Sequence, residues 1–231
     1  FLNKIAISSY SIIFYLNKIL VPIKLSCLYP YSGIRNMSIF LYSFITFIIL
    51  LTAVILSSKY TRKIIFGSAF FLITILPVLQ FIPIGETIVA DRYVYISSLG
   101  ILYILAEGSY WLYSKKIKYS HFLQWLILGV LIGIAGILIS LTWKRCQVWR
   151  DSISLWSDVL DKYPNVATAY NSRGAEYLAK KENAKAYSDF MSALSIDRNY
   201  YEAYFNLGSL YSSKGNYSEA AETYRQIAGV K

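Results

Sequence analysis

Asp91 and Arg92 stand side by side in the stretch PIGETIVADRYVYISSLG (83–100), between two long apolar runs, with Glu86 just upstream. An arginine offers a planar fork that matches the oxygens of an anion such as phosphate. Asp91 could orient that fork or help to hold a divalent cation. The competing reading is a helix start at a membrane edge. There Asp91 favours the helix dipole, Arg92 extends to the interface, and Tyr93 and Tyr95 act as aromatic anchors. Glu107 lies further along the same apolar run. An ionisable side chain at membrane depth is a functional candidate, but Glu107 is close enough to Lys115 and Lys116 to read as an interface contact. Little other chemistry is present. His121 is the one histidine, and Cys27 and Cys146 are far apart with no zinc or CxxC spacing. No metal ligand set, glycine-rich phosphate loop or Ser/His/Asp combination is found.

The elements that must position Asp91 and Arg92 are apolar helices. The chain has 231 residues, 56% of them hydrophobic. Five apolar segments are visible: a first one broken by Lys18 and Pro22, then Ser38 to Leu56, Ile64 to about Ile84 with Pro77 inside it, Tyr93 to Tyr113, and Phe122 to Trp143. The uncharged runs have about the 20 residues that a helix needs to cross hydrocarbon. The formal net charge of +10 falls wholly in residues 1–148, which hold 13 Lys/Arg against Glu86, Asp91 and Glu107; residues 149–231 carry 10 of each sign. Basic residues flanking apolar runs point to lipid head groups and topology rather than nucleic acid. The basic loops 57–63 and 114–121 are expected in the cytoplasm, which puts loops 22–37 and 81–92, and everything after Trp143, on the outer side.

Beyond Trp149 a period of 34 appears. Tyr170, Gly174, Tyr177, Ala186, Phe190 and Ala193 recur as Tyr204, Gly208, Tyr211, Ala220, Tyr224 and Ile227. This is the helix–turn–helix pattern of the tetratricopeptide repeat. Small residues let the paired helices approach, and aromatics fill the space between them. Lys181 stands at the turn glycine of the first repeat. Trp156 and Pro164 extend the register backwards, so DSISLWSDVLDKYP is expected to be a lone capping helix. The expected organisation is a membrane domain over 1–146, a junction and cap over 147–166, and repeats over 167–200 and 201–231, the second incomplete. The fold class is therefore all-α, a polytopic transmembrane bundle followed by an α-solenoid. The first helix of each repeat lines the concave groove, where Asn171, Glu202, Phe205, Asn206 and Ser209 are candidates to meet an extended peptide of a partner protein; the alternative is that they face only water or a neighbouring repeat. The chain begins at Phe1 and so reads as a piece of a longer protein.

The order of segments resembles the transmembrane and tetratricopeptide-repeat-containing O-mannosyltransferase-like family and its bacterial relatives, within the GT-C superfamily. The resembling residues are FYLNKILVPIKLSCLYPY, LPVLQFIPIGETIVADRYVYISSLG, WRDSISLW and the repeats. The resemblance implies a membrane glycosyltransferase that takes a sugar from a polyprenyl-phosphate carrier and attaches it to protein hydroxyls outside the cytoplasm, in the periplasm or the endoplasmic reticulum lumen. Its partners would be the bilayer, the lipid-linked sugar and acceptor proteins held by the repeats. In that family the catalytic acidic residue lies in the first outer loop, upstream of the segments matched here, so no catalytic base is assigned. Arg92, with Asp91, becomes the candidate for binding the donor phosphate, where a cation would stabilise the departing anion. The rival is a membrane-anchored repeat scaffold without catalysis.

Overall fold

The computed structural model describes residues 2–30, 37–79, 87–114 and 121–229. Glu86, Lys115 and Lys116 lie outside the described residues. The fold is an all-α bundle followed by an α-solenoid, and it divides into two compact units, Phe1–Ile137 and Leu138–Lys231.

In the first unit, helix α1 (Leu2–Leu20) is followed by strand β1 (Tyr29–Pro30), helix α2 (Met37–Ser57) and helix α3 (Arg62–Ile75). Strand β2 (Thr87–Val89), a 3-10 turn (Asp91–Val94), helix α4 (Tyr95–Ser114) and helix α5 (His121–Val148) complete it, with α5 running on into the second unit. Among the described residues, two stretches, Ser38–Ser57 of α2 and Trp125–Val148 of α5, are long and apolar enough to cross a membrane. Their side chains are largely exposed, and an apolar surface of that extent needs lipid or a partner to cover it.

The first apolar segment is not broken at Lys18, because the helix runs on to Leu20 and the ammonium donates to the Ile23 carbonyl (2.6 Å) beyond its end. The third run, by contrast, is not one helix. Pro77 has no N–H to donate back into the helix, so α3 stops at Ile75, a 3-10 turn covers Leu76–Val78, and Leu79 is extended. Thr61 caps α3 by accepting from the Lys63 N–H. Helices α3 and α4 pack at glycines: a Cβ on Gly67 would lie 2.6 Å from the Gly100 carbonyl, and one on Gly100 would strike the Gly67 carbonyl. Lys63 pairs with Glu107 across these helices. Glu107 is therefore tied to the 57–63 end of the unit.

The second unit holds α6 (Ser152–Lys162), then the pairs α7 (Ala167–Ala179) with α8 (Asn183–Ile196) and α9 (Tyr201–Ser213) with α10 (Tyr217–Gly229). Asp151 caps α6 by accepting from the Ser154 N–H (2.9 Å). Within each pair an aromatic ring fills the space left by a glycine. A Cβ on Gly174 would lie 2.7 Å from Phe190, and one on Gly208 would lie 2.5 Å from Tyr224. The core joins Ala186, Phe190, Ala193 and Leu194 of α8 to Ala203, Leu207 and Leu210 of α9. Arg173 forms a two-pronged bond to Asp189 (both 2.8 Å) and also donates to Ser157 of α6 (3.2 Å), which fixes that helix against the first pair. The Asp189 hydrogen bond pushes the Arg173 guanidinium up from its ordinary pKa.

Candidate functional site

The loops after α1 and before α4 meet at one end of the first unit. Strand β1 pairs antiparallel with β2, Tyr29 opposite Val89 and Pro30 opposite Thr87. Two tyrosine hydroxyls complete the join. Tyr15, 1% exposed on α1, accepts from the Ala90 N–H (3.1 Å). Tyr29 donates to Asp91 Oδ1 (2.7 Å) and accepts from the Ser26 N–H (3.0 Å). The Tyr29 ring stands edge-on to Phe14, with centroids 4.8 Å apart. The Lys18 ammonium lies 5.5 Å and 5.6 Å from the Phe14 and Tyr29 centroids, a favourable place for a cation.

Asp91 and Arg92 thus have different surroundings. Asp91 opens the 3-10 turn and is anchored by Tyr29. Arg92 is exposed, its guanidinium 5.2 Å from the Tyr93 ring centroid and its Nη2 3.4 Å from the Tyr93 hydroxyl. An exposed fork on a held backbone is free to meet an anion from solvent or from a lipid surface. For a divalent cation, the described residues provide only one carboxylate here, Asp91, and one of its oxygens already accepts from Tyr29.

Tyr15, Tyr29 and Lys18 are the residues that sequence reasoning did not assign to this site. The two hydroxyls join segments 62 and 75 positions apart, so no local pattern marks the tyrosines, whereas the Lys18 ammonium bonds locally to the Ile23 and Lys24 carbonyls. The one available signal was the run FYLNKILVPIKLSCLYPY, which contains all three.

In the second unit the five residues expected to line the groove have different surroundings. Asn171, 8% exposed on α7, accepts at Oδ1 from Asn206 Nδ2 on α9 (2.8 Å). Phe205 is 57% exposed and lies 5.9 Å from the Tyr224 ring, while Ser209 bonds the Tyr224 hydroxyl (3.2 Å). Glu202 is half-buried in the first turn of α9. The structure joins Asn171 to Asn206, and Phe205 and Ser209 to Tyr224.

A family model described as tetratricopeptide repeat matches residues 167–200 and 201–231. Residues 167–231 are two tetratricopeptide repeats. The chain is also similar to Protein O-mannosyl-transferase TMTC3 of Homo sapiens, 26% identical over 144 residues, covering 62% of this chain and 15% of that protein. It is 27% identical over 175 residues to Protein O-mannosyl-transferase Tmtc1 of Drosophila melanogaster, covering 75% of this chain and 16% of that protein. Small glutamine-rich tetratricopeptide repeat-containing protein 2 of Saccharomyces cerevisiae is 30% identical over 80 residues, covering 35% of this chain and 23% of that protein. The chain therefore spans less than a quarter of the length of each of these relatives.

Proposed function

We propose that this chain is part of a membrane glycosyltransferase-like protein. It transfers a sugar from a polyprenyl-phosphate carrier to protein hydroxyls on the extracytoplasmic side, and its repeats recruit the acceptor. The observation that carries this reading is the extent of similarity to the fly O-mannosyl-transferase. At 175 residues it is longer than the whole second unit, so it extends into the apolar unit as well.

The chemistry of the paired loops supports it. Breaking the bond between sugar and phosphate leaves an anionic phosphate, and a fixed cation beside it lowers the barrier as that charge develops. Arg92 is the exposed cation for that role. Asp91, held by Tyr29, sets the backbone from which Arg92 extends. With basic loop 57–63 in the cytoplasm, both loops face the periplasm or the endoplasmic reticulum lumen. In the repeats, Asn171, Glu202, Phe205, Asn206 and Ser209 are the groove residues for an extended acceptor peptide. The catalytic residue is not assigned within this chain.

The test is transfer of labelled sugar from polyprenyl-phosphate to protein, using the full-length protein in its native membrane. Wild type is compared with Arg92→Ala at equal expression. Loss of transfer with intact folding supports the donor-site role. Full transfer by the variant makes Arg92 a membrane-edge anchor. A second reading, a membrane-anchored repeat scaffold, is favoured by the yeast relative, whose similarity covers 80 residues. It predicts no transfer by the wild type even when donor is supplied.

A further inference from the structure

We infer that Lys24 is a second phosphate-binding cation of the paired-loop site, acting together with Arg92 on the phosphate of a lipid-borne donor. The inference rests on the donor-site reading given above. Two described residues other than glycine have positive φ, Lys24 at 51° and Lys181 at 61°. Lys181 occupies a repeat turn where the second repeat has Gly215. Lys24 has no such periodic origin. Side chains with a Cβ disfavour this left-handed conformation, and glycine is the usual residue where only a turn is needed. A lysine held there, with its side chain exposed, points to a use for the ammonium.

The surroundings impose the conformation. Val21 N–H bonds the Asn17 carbonyl (2.7 Å), and Ile23 N–H bonds the Val21 carbonyl (2.8 Å). The Lys18 ammonium then gathers the carbonyls of Ile23 (2.6 Å) and Lys24 (3.4 Å). Lys18 is thereby used by the turn itself. Among the described residues, the Lys24 ammonium has no hydrogen-bond partner.

Location supplies the link to Arg92. The Lys24 carbonyl lies 3.5 Å from the Tyr29 hydroxyl, and that hydroxyl is 2.7 Å from Asp91 Oδ1. Arg92 is the next residue. The Tyr29 hydroxyl, accepting from the Ser26 N–H and donating to the Asp91 carboxylate, therefore joins the two cation-bearing segments. A phosphate with two or three anionic oxygens accepts from a lysine and from an arginine fork at once, and such charge-assisted bonds are among the stronger ones.

The experiment measures binding of the full-length protein to neutral-lipid vesicles carrying polyprenyl phosphate. Parallel vesicles carry polyprenol, or an ordinary anionic phospholipid at equal charge. The variants are Lys24→Gly, Lys24→Arg and Arg92→Ala, each with a thermal midpoint. Lys24→Gly relieves the backbone and removes the ammonium, so stability and binding move in opposite directions. Its midpoint is expected to rise, while polyprenyl-phosphate binding falls about tenfold, the worth of one charge-assisted hydrogen bond. Lys24→Arg is expected to keep most of the binding. Unchanged binding by Lys24→Gly, with a loss in Arg92→Ala, overturns the role of Lys24 and leaves the donor-site reading standing. An equal loss on ordinary anionic phospholipid makes Lys24 a general lipid anchor and overturns the assignment. Wild-type binding that does not distinguish polyprenyl phosphate from polyprenol overturns both readings.

Discussion

Lys181 and Gly215 stand 34 residues apart, at the same turn of successive repeats, and both have positive φ, 61° and 81°. The repeat imposes one backbone path on two different residues. Glycine follows it freely; lysine does so with its Cβ crowded against the following carbonyl. Lys181→Gly should therefore stabilise the repeats by about 0.5–1 kcal/mol, and Gly215→Ala should destabilise them by a similar amount. Thermal or denaturant unfolding followed through the helical signal reads both. Equal midpoints for wild type and Lys181→Gly would remove strain from that turn.

The glycines of the repeats differ in kind from those of α5. A methyl added at Gly208 meets the Tyr224 ring, whereas nothing lies within 4 Å of Gly133 in α5. Gly208→Ala should cost about 1–3 kcal/mol through overpacking. Gly133→Ala should leave the thermal midpoint unchanged or raise it, because an alanine loses less freedom on entering a helix. Finding that the two substitutions cost the same would refute the close approach of α9 and α10.

In the apolar unit the corresponding test lies at Gly100. Gly100→Leu places a branched side chain where the Gly67 carbonyl passes, with the Phe71 amide 2.9 Å from the first added carbon. Helices α3 and α4 must then separate, and the Lys63–Glu107 pair with them. The expected outcome is a lower yield of folded protein in detergent and slower crosslink formation between cysteines introduced at positions 63 and 107. Gly108→Leu, with nothing within 4 Å, serves as the control.

Asp151 gives a pH dependence of known sign. The Ser154 backbone N–H, followed by the Ser154 hydroxyl, holds the carboxylate below its ordinary pKa. A depressed folded-state value contributes stability above the unfolded value of about 3.9 and loses it as pH falls through the folded value. Asparagine still caps a helix but does not titrate. Wild type should therefore lose its advantage over Asp151→Asn as pH falls from about 5 toward 3. Melting curves of the two proteins across that range check it, and a constant difference would show that the carboxylate charge plays no part.

The repeats were legible because their contacts recur. Gly174 with Phe190 and Gly208 with Tyr224 are the same contact written twice, so a period of 34 announces both. The runs Ser38 to Leu56 and Phe122 to Trp143 were equally plain, since an uncharged segment of that length becomes α2 or most of α5. The third run misled because Pro77 counts as apolar in a hydropathy reading while removing a backbone donor. Lys18 misled in the opposite direction: a charge suggests a break, yet its long stem reaches carbonyls beyond the helix end. Asp91 and Arg92 were visible as a charged pair, but Tyr15 and Tyr29 were not assigned to it. Their partners lie far along the chain, and nothing in the spacing of tyrosines tells an interfacial anchor from a buried acceptor.

The join between Tyr29 and Asp91 spans 62 residues, and that between Tyr15 and Ala90 spans 75. Distant contacts of this kind form late, because the intervening chain must first be closed into a loop. During synthesis α1, α2 and α3 are made before β1 has anything to pair with. Lys18 and the left-handed turn at Lys24 can be set early, since their bonds are local. The Tyr29 hydroxyl must wait for Asp91 to emerge. Assembly of the loop site thus comes late in the apolar unit: a nascent chain stalled before Asp91 has α1, α2 and α3 and the turn at Lys24, but neither α4 and α5 nor the join from Tyr29 to Asp91.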